Sequence, residues 1–268
     1  MTGIQWLLQS NHPDLIAIRE IEKILLAQGN VVHMAPLKGR SPDMPDLSDI
    51  DSSAPVVCYG PSFVPRALRH PDLAPGIFFD PQTFRWSSFQ GGWGREAMLG
   101  DGRIVSAGDV LGSVGSGHVF VRPDEDSKAF DGGVFDRDGL EALIDRALAS
   151  GNLSPETCLM VADTVEVDAE WRTFVVGNEV VAASSYRRGG VGDINLHVPH
   201  PVIDLAFDAV ERWSPADVFC LDIALSGSRY GIVEANCFNA SRFYGADATA
   251  ILSAVSEFVA AQRPIPSL

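Results

Sequence analysis

The hydrophobic pattern of this chain changes period part-way along its length, and that change limits the folds open to it. Residues 4–8 predict a short buried strand, and residues 9–13 a polar loop. Leu15, Ile18, Ile21, Ile24 and Leu25 then recur at helical spacing, with Gly29-Asn30 as the stop. Residues 31–35 predict a second strand. Strand, helix and strand in this order form a βαβ unit with parallel strands. A Pro/Asp-rich loop over 36–55 leads to a third strand at 56–59, closed by Gly60-Pro61. Residues 80–108 are aromatic and glycine-rich, with Phe84, Trp86, Phe89 and Trp93. They read as an irregular segment packed over the first domain, with a direct role in lining a substrate as the alternative. A domain boundary is expected near residue 95.

Beyond it, short apolar runs come in pairs around glycine turns. A strand is expected at 119–121, a polar loop at 124–133, a helix at 140–148 and a strand at 159–167. Residues 172–176 and 179–185 flank Gly177-Asn178, a hairpin signal, and a helix follows at 201–213. Residues 218–225 and 230–235 form a second hairpin around Gly227-Ser228, and a closing helix is expected at 246–261. There is no internal repeat and no low-complexity tract.

Composition removes several functional classes. The 268 residues are 46% hydrophobic and 21% charged, enough for a sizeable core. A net charge of −15 disfavours a nucleic-acid binder, which needs a basic face to grip phosphates. Cys58, Cys158, Cys220 and Cys237 form no CxxC pair, so a structural zinc site is not expected. The opening residues lack an export signal and no run of 18 apolar residues occurs, so the thiols are expected reduced and the protein cytoplasmic, away from membranes. A homodimer is the base-rate expectation for its assembly.

The residues that carry chemistry cluster late in the chain. Glu234 and Asn236 are two apart on one strand and share a face, and the hairpin can bring Asp222 beside them. Three oxygen donors set among Ile223, Ile232, Val233 and Ala235 suit a hard cation such as Mg²⁺, which completes its shell with water and phosphate oxygens. A solvated hairpin with incidental acids is the plainer alternative. Earlier, a strand ends at Arg122, a loop carries Lys128, and Gly132-Gly133 would let backbone amides approach an anion. That suits a polyphosphate, although no GxxxxGK[ST] motif is present. Glu170-Trp171-Arg172 precedes a hairpin ending in Tyr186-Arg187-Arg188, and alternation could place Arg172 and Arg187 on one face, where arginine forks match carboxylate or phosphate oxygens. Both cationic segments could equally be exposed salt-bridged surface. The run Gly112 to Gly117 precedes a strand and reads as a loop, and His197 and His200, flanked by Pro199 and Pro201, read as loop residues. Cys237 has the opposite strand parity to Asn236 and should pack away from the acids.

Taken in order, these segments resemble the ATP-grasp superfamily over about residues 99–262. The run Glu170-Trp-Arg-Thr-Phe-Val-Val-Gly-Asn-Glu is similar to one in ribosomal-protein glutamate ligases, as is Gly192-Asp-Ile-Asn195. Val121-Arg122-Pro-Asp, Lys128-Ala-Phe-Asp-Gly132 and Glu234-Ala-Asn-Cys-Phe-Asn239-Ala-Ser241-Arg-Phe-Tyr244 look like the small R-two-K clade. The resemblance implies an α/β and α+β chain: a Rossmann-like pre-ATP-grasp domain at 1–95, an N-terminal ATP-grasp subdomain with the phosphate loop at 96–160, and a C-terminal subdomain with the metal site at 161–268.

It implies ATP and Mg²⁺ as cofactors, with Arg122 where most of the superfamily carries a phosphate-binding lysine and Lys128 reaching phosphate from the loop. Asp163, Thr164 and Val165 would hold adenine, and Glu170 would meet the ribose. Arg172 and Arg187 would face the γ-phosphate or acyl-phosphate, and Asp222, Glu234 and Asn236 would bind Mg²⁺. The implied activity is a carboxylate-amine ligase that forms an amide or peptide bond through an acyl-phosphate and releases ADP. Its substrates would be small-molecule, peptide or protein carboxylates and amines. A non-catalytic ATP sensor or scaffold of the same fold, or a phosphotransferase, is the alternative. The usual asparagine–proline–glycine ending is replaced here by Asn236-Cys-Phe-Asn239, next to the acceptor pocket.

Overall fold

The computed structural model describes residues 3–37, 43–70, 73, 75–126 and 129–262. Its first sheet is parallel. Strand β1 (Gln5–Gln9) lies between β2 (Val31–Ala35) and β3 (Val56–Tyr59), and the two-residue β4 (Pro75–Gly76) extends the β3 edge. Helix α1 (Leu15–Ala27) connects β1 to β2, with its first turn capped by the Asp14 carboxylate on the Ala17 amide. Its Ile18, Ile21 and Leu25 are buried against the sheet, as the helical spacing predicts, while Leu15 stays exposed. The short α2 (Val64–Ala67) follows β3.

The aromatic segment at 80–108 departs from expectation. Residues 86–93 form a helix, α3 (Trp86–Trp93), and its rings do not lie over the first sheet. Trp86, Phe89 and Trp93 are buried with Trp171, Phe219, Leu221 and Ile223 of a later sheet, and the Trp93 indole donates to the carbonyls of Ala209 and Trp213. The tryptophan–phenylalanine spacing supplies one apolar helix face, and only the tertiary fold chooses what covers it.

The second sheet, in the order β5 (Arg103–Ser106), β8 (Cys158–Asp163), β6 (Val119–Pro123), β7 (Gly133–Phe135), is antiparallel. Helices α4 (Val110–Ser113) and α5 (Arg137–Ala149) close its core through Val110, Leu140 and Ile144. The expected strand at 159–167 ends at Asp163, because the next residues cross to another sheet. β5 and β7 escaped the sequence reading: one is an edge strand with Arg103 and Ile104 exposed, and the other has only three residues.

The third sheet runs β11 (Val191–Asn195), β10 (Glu179–Arg188), β9 (Ala169–Val176), β12 (Val218–Ser226), β13 (Arg229–Cys237), and every pairing is antiparallel. Both predicted hairpins are present. Gly177 and Asn178 both take positive φ, the turn geometry that suits the twist of a two-residue hairpin. Helix α6 (His200–Arg212) packs with α3 on one face of this sheet, against Trp171, Val175, Phe219 and Leu221. On the other face α7 (Ala248–Ala261) places Ile251, Leu252 and Val255 against Phe174, Val176, Val218 and Cys220, and Trp6 and Leu8 of β1 join the same core. The Trp6 indole also donates to Ser256 on α7, tying the parallel sheet to the C-terminal helix. The five-stranded sheet is therefore covered on both sides, and β9 is buried along its whole length.

Candidate active site in the cleft between the two antiparallel sheets

The face of the third sheet that carries Phe174, Val176 and Cys220 changes character part-way along its strands. Continuing along β9 and β12 the same face presents Arg172, Glu170 and Asp222, since alternate residues share a face. Arg172 pairs in register with Asp222, and Asp222 with Glu234. The second pairing depends on a bulge. From the turn pair Ser226↔Arg229, unbroken register would set Asp222 opposite Val233 and send Glu234 to the far face. A register shift between Asp222 and Ile223 leaves Val233 as the extra residue and brings the two acids together.

The side chains then interlock. Arg172 grips Asp222 with both arms, Nε to Oδ1 at 2.8 Å and Nη2 to Oδ2 at 2.6 Å. Asn236 Nδ2 donates to Asp222 Oδ2 at 3.0 Å and to Glu234 Oε1 at 3.1 Å. Arg122 reaches across from β6, its Nη1 lying 2.6 Å from Glu234 Oε2. Arg187 Nη1 donates to Glu170 Oε1 at 3.1 Å, and Tyr186 OH donates to Glu170 Oε2 at 2.5 Å. Bulges at Val181 and Tyr186 each add a residue to β10, and the second sets Arg187 opposite Glu170 while Ser184 lies opposite Arg172.

Electrostatics divide the two acids. Burial pushes the Asp222 carboxyl above its usual range, with Glu234 and Glu170 adding to the rise and Arg172 opposing it. Burial acts on Glu234 in the same sense, but Arg122, Asn236 and Arg172 together outweigh it and hold that carboxyl below its usual range. Tyr186 is raised by burial and then by the charges of Asp222 and Glu170, so it remains a hydroxyl donor. Burial lifts the Cys220 thiol on this face to about 12, which leaves it unreactive.

A cavity of about 400 Å³ opens between the sheets. Of the residues singled out from sequence, Arg122, Glu170, Arg187 and Glu234 line it, together with Phe120, Gly132 and Val167. Arg172, Asp222 and Asn236 do not line it; Asn236 bonds to the lining residue Glu234 and to Asp222, and Asp222 in turn to Arg172. Asp163 ends β8 opposite Val119, and Thr164 and Val165 begin the crossing to β9. Lys128 lies outside the described residues.

Among the described residues no cluster of three His, Cys, Asp or Glu side chains forms a metal cage. The convergent set is two carboxylates and one carboxamide, and turning the Asn236 amide over would present its oxygen to the same point. One or two carboxylates, an amide oxygen and room for water and phosphate match what Mg²⁺ accepts.

Sequence reasoning gave no role to Tyr186 or Tyr244. Their rings stack at 4.9 Å and 11°, and the Arg172 guanidinium carbon lies 5.8 Å and 5.1 Å from the two centroids. Tyr186 carried a usable signal, two residues beyond Ser184 on the strand next to Arg172. Tyr244 comes from a loop, and its one signal was its place at the end of the family-like run from Glu234.

With this geometry in view, the protein can be placed in a class. The ATP-grasp domain of R-two-K clade family 3 matches residues 85–255, more than half of the chain. The chain belongs to that ATP-grasp family. No curated protein sequence matches it. Solved structures share the fold at low identity. A RimK domain ATP-grasp protein from Sphaerobacter thermophilus superposes with a TM-score of 0.66 at 14% identity, covering 95% of this chain and 99% of the other. D-alanine–D-alanine ligase from Bacillus anthracis gives 0.61 at 9% identity, covering 96% of each chain. The ATP-grasp ligase PsnB, solved with a phosphomimetic variant of its minimal precursor, Mg and ADP, gives 0.59 at 14% identity, covering 98% and 99%. Among the described residues no helix is long and apolar enough to cross a membrane.

Proposed function

We propose that this protein is an ATP-dependent, Mg²⁺-requiring ligase that joins a carboxylate to an amine through an acyl-phosphate. The observation that carries this reading is the charged half-face of the third sheet, where Arg172, Asp222, Glu234 and Asn236 interlock beside a cleft that Arg122 enters from the opposite sheet. Ligases of the same fold, one solved with a precursor peptide and one named for D-alanine, support it.

In this reading Arg122 and Lys128 hold the polyphosphate tail, the segment of Asp163, Thr164 and Val165 meets the base, and Glu170 meets the ribose. Arg122 can release Glu234 and turn to a phosphate oxygen, since a guanidinium fork matches either anion. Arg187, half-exposed on the cleft, steadies the transferring group, and Arg172 holds Asp222 in place behind it. Asp222, Glu234 and Asn236 would hold Mg²⁺, which supplies charge neutralisation on the phosphates when bound. Positioning and fixed charge do the rest: the substrate carboxylate attacks the γ-phosphorus, ADP departs, and an amine displaces phosphate from the acyl-phosphate. Walls from two sheets shield that intermediate from water.

A three-part division at 1–95, 96–160 and 161–268 accompanies this proposal; one sheet falls mainly in each part, and β8 of the second sheet runs past residue 160 to Asp163. The direct test incubates the protein with ATP, Mg²⁺ and pooled amino acids and follows ADP release and condensation products one water lighter than their sum. Glu234→Gln should lower amine-stimulated ADP release by at least about tenfold. Full turnover in that variant would remove the metal assignment. ATP binding without amine-stimulated release would point to a sensor, and a stable phosphorylated product to a phosphotransferase.

A further inference from the structure

A second cavity, of about 430 Å³, lies on the other side of Arg172, between α1 and the loop over residues 239–246. It falls within the roughly 300–1,000 Å³ range of small-ligand pockets. Its frame is firmly built. Asn239 is completely buried and its side chain makes four hydrogen bonds, accepting from the Phe78 amide and the Cys237 thiol and donating to the carbonyls of Cys58 and Gly76. Tyr59 OH donates to the Ser241 carbonyl at 2.5 Å, and Ser241 Oγ donates to the Cys237 carbonyl at 2.8 Å. Tyr244 is held at φ 51°, in a backbone region that bulky residues avoid. Such strain persists only where surrounding structure imposes it, and here it aims the ring onto Tyr186.

The chemistry of the lining is mixed. Ile21 and Ile24 of α1 and Phe243 supply an apolar wall. Glu20 and Arg242 bring opposite charges to it, both exposed and neither with an ion-pair partner among the described residues. Asp14, a further acid on the lining, is already engaged in capping the Ala17 amide at 3.1 Å. An unpaired anion, an unpaired cation and an apolar wall on one cavity lining match a zwitterion with an apolar side chain.

The two cavities share a partition. Tyr244 lines the second one and stacks on Tyr186, whose hydroxyl binds Glu170 on the wall of the first. We propose that this second chamber binds a free amino acid with a branched apolar side chain, its ammonium group at Glu20 and its carboxylate at Arg242, as one of the two substrates of the ligase. The substrate role rests on the ligase reading, whereas binding itself does not.

Leucine is the probe, with 4-methylpentanoate and 3-methylbutylamine as analogues lacking one charge each. Binding is measured by titration calorimetry and ligand-observed NMR on the full chain, without nucleotide. Leucine should bind, and each analogue should bind at least about tenfold more weakly. Arg242→Ala at the exposed rim and Ala17→Trp, which fills the chamber from α1, should each weaken leucine by a similar factor, while melting temperature and Mg²⁺-ATP binding match the parent. The chamber assignment is overturned if the parent does not bind leucine, if either analogue equals it, or if a folded Arg242→Ala retains parental affinity. Failure of the parent to bind Mg²⁺-ATP, measured on the same samples, strikes the ligase reading and leaves the leucine result to stand or fall alone.

Discussion

Two halves of one sheet face behave in opposite ways. At one end Phe174, Val176, Val218 and Cys220 disappear beneath α7 and the parallel sheet. Two residues further along the same strands, Arg172 and Asp222 are almost as deeply buried, at 8% and 2% exposure, yet form a two-armed ion pair. The apolar half stabilises the fold by removing hydrocarbon from water. The charged half lowers stability by desolvation unless every member keeps its partner. A sheet that was only scaffold would extend the first pattern to the edge. Placing interlocked ions behind a cleft costs stability, a cost that the ligase reading proposed above assigns to binding.

Breaking the charged half from within should have the largest effect. Asp222→Ala strands a buried guanidinium and is expected to destabilise the protein by about 4 kcal/mol in urea denaturation. Replacing both members, Arg172→Met with Asp222→Leu, should restore most of that stability and abolish ligase turnover. If the single substitution is harmless, the two halves do not differ as argued. Leu252→Ala, in the apolar half beneath α7, should cost about 3 kcal/mol and leave the affinity for Mg²⁺-ATP unchanged. Glu234→Gln sharpens the contrast in the other direction. Its ion pair with Arg122 is partly exposed, so it should shift stability by only about 1 kcal/mol while the Mg²⁺-dependent rise in melting temperature with ATP is lost. Arg188→Ala serves as the control: its pair with Asp193 lies on the exposed edge, and stability should stay within about 0.5 kcal/mol.

Much of this architecture could be read before the fold was known, for identifiable reasons. The strand at Val56–Tyr59 falls where the apolar run predicts it, because a strand buried on both faces leaves no polar residue to blur its ends. The Gly177-Asn178 turn is equally plain, since few residues tolerate its backbone. The edge strands β2 and β13 were read, but the short or exposed edges β4, β5, β7 and β11 were missed. β11 alternates poorly and exposes Val191 and Ile194, so it looks like loop. The aromatic helix α3 was placed over the wrong sheet, since an apolar face does not name its partner.

The candidate site divides along the same line. Local sequence was enough to put Glu234 and Asn236 on one face, because alternate residues in a strand always share one. It was enough to nominate Arg122, Arg172, Arg187 and Asp222 as residues with chemistry to offer. Three things were left to the assembled fold: the bulge at Val233 that turns Asp222 and Glu234 to the same side, the pairing of β9 with β12 that sets Arg172 on Asp222, and the approach of Tyr244 from a distant loop. Strand parity is a property of neighbouring peptide units, so the chain carries it everywhere. Register and long-range contact are chosen by competition among whole packed arrangements, and no local stretch contains that information.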